Sequence, residues 1–91
     1  MFKVDLRNLC LLAYGNGMTQ WGYKAPHRHN SGVLANPDYW ADGPSHLASG
    51  DWLFVTHLTP SGTYNAIYCF TRGPLGLWAQ QLVSSSPPIH S

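Results

Sequence analysis

The segment His27-Arg28-His29 places two imidazoles two residues apart in the sequence. On an extended segment both rings would point to the same side, where they could share a metal ion. The guanidinium of Arg28 between them repels a cation, and no carboxylate or thiolate stands beside them. We therefore predict a solvent-exposed polar loop that holds neither a metal nor a cofactor.

Nucleophilic catalysis would need a serine or a cysteine activated by a neighbouring base. Ser45, His46 and Asp51 are the residue types of a catalytic triad, but no G-x-S-x-G motif is present to hold the serine on a strained turn. Cys10 and Cys69 lie in apolar runs, which disfavour a thiolate. We expect both cysteines to be buried and reduced, and the sequence leaves open a disulfide bond between them.

A pair of carboxylates could serve glycoside hydrolysis. Asp38 and Asp42 are four residues apart in a segment that favours a helical turn, so they could face the same way. Capping and turn formation account for both of them and for Asp51. The glycines at 15–17 form no phosphate loop, because neither Lys-Ser/Thr nor a long helix follows. We predict that the protein is not an enzyme.

The elements that would position these residues are short β-type runs separated by Gly, Pro, Asn and Ser. The glycine-rich residues 15–17 connect a first hairpin, and the turn at 59–63 connects a second one. The predicted strands cover residues 2–7, 8–14, 19–24, 52–58, 64–71 and 75–83.

Between the two hairpins, the polar residues 25–35 predict a surface loop. Asn36 is a suitable cap for a short helical turn, with Pro37 at its first position, and Gly43-Pro44 would end it. The fold prediction is an all-β class: a small sandwich or barrel-like domain of hairpins with at most one short helical turn. Residues 1–83 form the single domain, and residues 84–91 form an extended C-terminal tail.

The composition indicates a protein that shares its surface with partners. Only 10% of the 91 residues are charged, although a soluble domain usually has about a quarter. A chain of this length also builds only a marginal core of its own. The net charge of +1 argues against nucleic-acid binding, and no apolar stretch approaches the ~20 residues that membrane insertion requires. The N-terminus lacks the order of a signal peptide, so we expect synthesis in a cytoplasm.

Tryptophan and tyrosine provide the candidate site residues. These rings combine flat apolar area with a polar tip, which suits core packing, subunit interfaces and stacking on sugar rings. The candidates for an interface or for glycan stacking are Trp21, Tyr23, Tyr39, Trp40, Trp52 and Trp78.

Four segments occur in an order that resembles the small β-rich structural proteins of tailed bacteriophages and prophage-like particles. They read Leu-Ala-Tyr-Gly-Asn-Gly at 12–17, Trp-Gly-Tyr at 21–23, Pro-Asp-Tyr-Trp-Ala-Asp at 37–42 and Leu-Ala-Ser-Gly-Asp-Trp-Leu-Phe-Val at 47–55. The resemblance covers residues 9–55 and extends loosely to Phe70. The sequence departs from the family pattern at 44–46, where an alanine-rich helical stretch is expected, and in the extension 75–91.

The resemblance implies a virion component that is assembled in the cytoplasm of a bacterial host. It implies a homo-oligomer, with a homotrimer favoured, that acts as a capsid (head) decoration, a head-spike base or an attachment piece for a tail fibre. Its partners would be the capsid, spike or fibre proteins. The alternative is a carbohydrate-binding module that recognises a host-surface glycan through its Trp and Tyr side chains.

Overall fold

The computed structural model describes residues 2–15, 18–44 and 47–84. Five strands form one sheet in the order β1-β2-β3-β4-β5, which confirms the all-β prediction. The strands are β1 (Leu9–Gly15), β2 (Met18–Ala25), β3 (Trp52–Thr59), β4 (Gly62–Gly73) and β5 (Gly76–Ser84). The β1–β2 and β3–β4 hairpins are the two that the sequence predicts, and β5 adds a third antiparallel pair.

The centre of the sheet is a parallel pair, in which Trp21 of β2 lies opposite Leu53 of β3. Parallel neighbours cannot be joined by a tight turn, so the chain must cross over the sheet between them. Residues 26–51 make this crossover, which contains helix α1 (Ser31–Leu34) and a 3-10 turn (Pro37–Trp40). The layer that covers the sheet is therefore the crossover and not a second sheet.

The core lies between this crossover and the inner face of the sheet. The crossover contributes Leu34, Tyr39, Trp40 and Leu47, which are all buried. The sheet and the N-terminal segment contribute the other buried hydrophobic side chains, which are Val4, Trp21, Tyr23, Ala25, Leu53, Val55, Ala66, Tyr68, Phe70 and Ala79.

The predicted cap of the short helical turn is confirmed. The side chain of Asn36 accepts a hydrogen bond of 3.0 Å from the backbone N–H of Asp38, and Pro37 occupies the first position of the turn. Because proline has no N–H to satisfy and its φ is already helical, the turn begins here at little cost.

Two local predictions are wrong. Residues 2–7 form no strand: Asp5 caps a 3-10 turn at Leu6–Asn8, and the backbone N–H of Val4 bonds to Tyr39. Residues 25–35 are not wholly a surface loop, because Leu34 at the end of α1 is fully buried. A four-residue helix is too short to show an apolar period in the sequence.

Two predictions concern residues that lie partly outside the described ranges. The predicted tail begins at residue 84, but Ser84 is still part of β5 and pairs with Ala66. Residues 85–91 lie outside the described residues, as does most of the turn at 15–17.

Candidate functional site

A continuous uncharged row crosses the sheet on the face that lies away from the core. The strand register aligns one residue from each strand, in the order Cys10, Gly22, Phe54, Ile67 and Val83. Phe54 is 37% exposed and Val83 is 54% exposed, and Cys10 is exposed as well. The protomer therefore leaves apolar side chains at both ends and at the centre of this row accessible to solvent, while Gly22 is buried and Ile67 is half-buried.

Two further rows flank the first one on the same face. On one side lie Ala13, Gln20, Trp52, Cys69 and Gln80, which are all uncharged. On the other side lie Lys24, Thr56 and Asn65, and the Thr56 hydroxyl donates a hydrogen bond of 2.9 Å to the Asn65 side chain. We term these three rows together the open face. Lys24 is its one charged residue.

A β-bulge in β1 adds a leucine to the open face. The register shifts between Leu11 and Ala13, so Leu12 has no partner on β2 and its side chain leans over Gly22. A methyl group added to Gly22 would lie 3.1 Å from Cδ1 of Leu12 and 3.2 Å from Sγ of Cys10. The two side chains therefore cover the glycine and fill the gap in the row.

Strand β1 is also an edge of the sheet, and it is uncharged from Leu9 to Gly15. Leu11 is largely exposed, and Tyr14 is 77% exposed. Natural edge strands usually carry lysine or proline, which prevents pairing with other chains. Within β1 itself, the bulge is the one such protective feature, so this edge extends the apolar surface beyond the open face.

Four of the six aromatic candidates pack in the core of the protomer and are not surface platforms. Trp21, Tyr23, Tyr39 and Trp40 are buried within one protomer. The crossover brings Tyr39 and Trp40 against the sheet, a non-local event that the local pattern of aromatic residues did not reveal. Their rings can neither stack on a glycan nor anchor a subunit.

The polar tips of the buried indoles are satisfied inside the protomer. Nε1 of Trp40 donates a hydrogen bond of 2.8 Å to the backbone oxygen of Leu34. Nε1 of Trp21 donates one of 3.1 Å to the carboxylate of Asp51. Buried polar groups that find such partners fix the position of the ring.

The two remaining candidates are partly buried. Trp52 belongs to the open face. Trp78 lies near the β4–β5 turn, where it lines a small cavity with Ala35, Pro37 and Leu75. Of the six predicted residues, only Trp52 therefore contributes to the uncharged surface described above.

A chain of hydroxyl groups and one imidazole crosses the core. The backbone N–H of Asp5 donates a hydrogen bond to the Tyr23 hydroxyl, which lies 2.5 Å from the Tyr39 hydroxyl. Nδ1 of His29 lies 2.7 Å from the same Tyr39 hydroxyl. Burial raises the pKa of both tyrosines and lowers the pKa of His29. With a neutral His29, Tyr23 donates to Tyr39 and Tyr39 donates to His29, so each group is satisfied.

His57 has both ring nitrogens engaged. Nδ1 lies 3.1 Å from the backbone oxygen of His29, and Nε2 lies 2.7 Å from the Tyr68 hydroxyl. A carbonyl oxygen only accepts, so Nδ1 carries the proton and Nε2 accepts from Tyr68. Burial lowers the pKa of His57, which is consistent with the neutral form. Both nitrogens of this ring are used to join β3, β4 and the loop at 27–30.

The cysteines are placed differently from the prediction. Cys10 is exposed and Cys69 is half-buried, and both are free thiols. They share the open face, but β2 and β3 lie between their strands, so roughly 14 Å separates the two backbones. This distance is too great for a disulfide bond within one protomer.

The other residues considered for chemistry have structural partners or lie outside the described residues. Asp42 forms an exposed ion pair of 3.6 Å with Lys3, while Asp38 lies in the capped turn. Ser45 and His46 lie outside the described residues. In the described part of the chain, no group of three or more His, Cys, Asp or Glu side chains is placed to hold a metal ion.

Comparison of the chain with protein-family models, with curated proteins and with solved structures found no match. No helix within residues 2–15, 18–44 and 47–84 has the length and the apolar character that crossing a bilayer requires.

Proposed function

We propose that this protein is a non-enzymatic structural subunit, and that its open face is covered by further copies of the same chain. The observation that carries the proposal is the uncharged row across all five strands, with Phe54 at its centre. Exposed apolar surface of this continuity costs free energy in water, and association with a like surface recovers it.

The charge distribution favours a copy of the chain as the partner. The chain has five Lys or Arg and four Asp residues, and the open face includes one of them, Lys24, at its margin. A charged partner would bury its ions here without counter-charges, at a cost on the order of several kcal/mol per ion. An uncharged apolar surface can pack against the same kind of surface on a further copy of the chain, because no charge needs an opposite partner.

The sheet face that carries the open-face rows is somewhat smaller than one side of a standard stable interface. Five strands, each at least seven residues long, give a face of roughly 24 Å by 23 Å from the standard strand spacings. The resulting area of roughly 550 Å² in projection approaches the ~800 Å² that each partner buries in a stable interface. The exposed edge β1 adds to this area.

The place of the subunit in a particle is proposed from the sequence resemblance. On that basis the protein is a virion component of a tailed bacteriophage: a head decoration, a head-spike base or a fibre-attachment piece that docks on capsid, spike or fibre proteins. A homotrimer is the favoured arrangement. On a three-fold axis, each open face would contact the same face of its neighbours, and three sheets would form the sides of a prism.

The test is the mass of the native protein when the open face carries a new charge. Phe54→Lys places an ammonium group at the centre of the row, where a partner would have to bury it. We expect this variant to sediment as a single chain at ~10 μM, and we expect the wild type to be multimeric at the same concentration.

The matched control is Leu75→Lys, which makes a similar change at a residue that is 85% exposed in the β4–β5 turn. We expect this variant to keep the wild-type mass. If both variants keep that mass, the open face is not the interface.

A further inference from the structure

A small cleft lies between the loop at 27–30 and the β3–β4 hairpin. Its volume is about 360 Å³, in the range of small-ligand sites. Its walls include His27, Arg28, Leu58, Pro60, Ser61 and Tyr64. The cleft is separate from the open-face rows, and the proposed assembly does not use it.

The two sides of the cleft differ in chemistry. Arg28 provides a cationic side, and no Asp is among the lining residues. Leu58, Pro60 and Tyr64 provide an apolar side opposite to it. A guanidinium beside an apolar wall, in a cleft that no Asp lines, favours a ligand that has one negative charge and one apolar or flat face.

The floor of the cleft is held in place from below. The ring of His57 stacks on Tyr64 with a centroid distance of 4.7 Å and an interplanar angle of 17°. The same ring bonds to the backbone oxygen of His29, which ties the cationic loop to the strand. The two sides of the cleft therefore keep a fixed spacing, as a preorganised site requires.

Arg28 has a strained backbone. Its φ is +76°, the one positive φ among the non-glycine residues that the structure describes. Arg28 lies in a turn that is closed by a hydrogen bond of 3.0 Å from the His29 N–H to the Pro26 oxygen. Glycine or asparagine would adopt this conformation with less strain. Backbone strain at a charged residue that lines a cleft favours a binding role for that residue.

We propose that this cleft binds a small organic carboxylate, with the carboxylate on Arg28 and the body of the ligand on Leu58 and Tyr64. The lining residues carry one permanent positive charge, which matches a monoanion. The planar guanidinium can donate two parallel hydrogen bonds to the two oxygens of a carboxylate. An acidic sugar and an aromatic acid both have this chemistry.

The experiment is an NMR titration of the full chain with sodium glucuronate and, separately, with sodium benzoate, with glucose as the uncharged control. We expect at least one acid to shift the amide signals of residues 27–30 and 58–64 at ~1–10 mM, and glucose to leave them unchanged. Absence of shifts with both acids at ~10 mM, or equal shifts with glucose, would overturn the proposal.

Two variants separate binding from folding. Arg28→Gln removes the charge, and Arg28→Gly removes both the charge and the backbone strain. We therefore expect the glycine variant to melt at a higher temperature than the glutamine variant. Both should bind the acid at least ~10-fold more weakly. The matched control is Arg72→Gln, which removes an exposed arginine that does not line the cleft. Wild-type affinity in either Arg28 variant would contradict the proposal.

Discussion

The indole nitrogen of Trp21 lies 3.1 Å from Oδ2 of Asp51, and both side chains are buried. The same carboxylate oxygen accepts a second hydrogen bond of 3.1 Å from the backbone N–H of Ala48. Asp51 therefore links strand β2 to the residues that lead into β3, the two strands that pair in parallel. Asp51, which the sequence offered as a residue for catalysis, and Trp21, which it offered as an interface residue, are thus bonded to each other in the core.

The first prediction concerns the carboxylate of Asp51. Asp51→Ala removes the carboxylate that accepts hydrogen bonds from the Trp21 indole and from the backbone N–H of Ala48, so we expect the free energy of unfolding to fall by ~2–4 kcal/mol. Urea unfolding followed by tryptophan fluorescence measures this change. The control is Asp42→Ala, which removes an exposed ion pair and should cost under ~0.5 kcal/mol. Equal losses in the two variants would refute the assigned role of Asp51.

The second prediction concerns the hydroxyl of Tyr39. Tyr39→Phe removes the hydroxyl between Tyr23 and His29, so the Tyr23 hydroxyl loses its acceptor and Nδ1 of His29 loses its donor. We expect a loss of ~1–3 kcal/mol in the free energy of unfolding. Tyr14→Phe makes the same chemical change at a residue that is 77% exposed, and it should change stability by less than ~0.5 kcal/mol.

The third prediction is a loss of stability in mild acid. Burial lowers the pKa of His29 and of His57 below the ordinary value of 6.5. Below that pH the unfolded chain takes up protons that the native state resists, so the free energy of unfolding decreases as the pH falls toward the lowered pKa values. Melting temperatures at about pH 8 and about pH 5 measure the effect.

The variant that tests the origin of this pH dependence is His57→Gln, which removes one of the two imidazoles with a lowered pKa. It should be less stable than the wild type at about pH 8, because it loses the bonds to His29 and Tyr68. It should also lose less of its remaining stability on acidification. A pH dependence equal to that of the wild type would show that His57 does not contribute.

The sequence predicted the elements that depend on neighbouring residues. Both hairpins follow from glycine-rich or proline-containing turns between apolar runs, and the turn at Pro37–Trp40 follows from the capping side chain of Asn36. These features depend on interactions within a few residues, so local chemistry is sufficient to predict them.

The burial of the aromatic rings could not be predicted in the same way. Tyr39 and Trp40 are buried because a crossover between β2 and β3 packs them on the sheet, and the parallel pairing has no signature in either strand. The extent of the open face could not be predicted either, since it depends on the register of five strands and on the bulge at Leu12. The alternation of Trp52, Phe54 and Thr56 with buried residues in β3 was its available signal.

The fourth prediction uses the thiol of Cys10 as a probe of the open face. Cys10 is exposed in the protomer and lies in the central row, so further copies of the chain would cover it. We expect slow alkylation of Cys10 in the wild type and at least ~10-fold faster alkylation in Phe54→Lys. Cys69→Ser in both backgrounds assigns the signal to Cys10. Equally fast alkylation in both proteins would show that the face is uncovered.

The most direct measurement of the central claim is the mass of the wild-type protein by light scattering, over a concentration range around ~10 μM. One chain has a mass of 10.1 kDa. Covering of the open face by further copies predicts a whole-number multiple of this mass, with three as the favoured number. A mass of 10.1 kDa across the whole range would contradict the account.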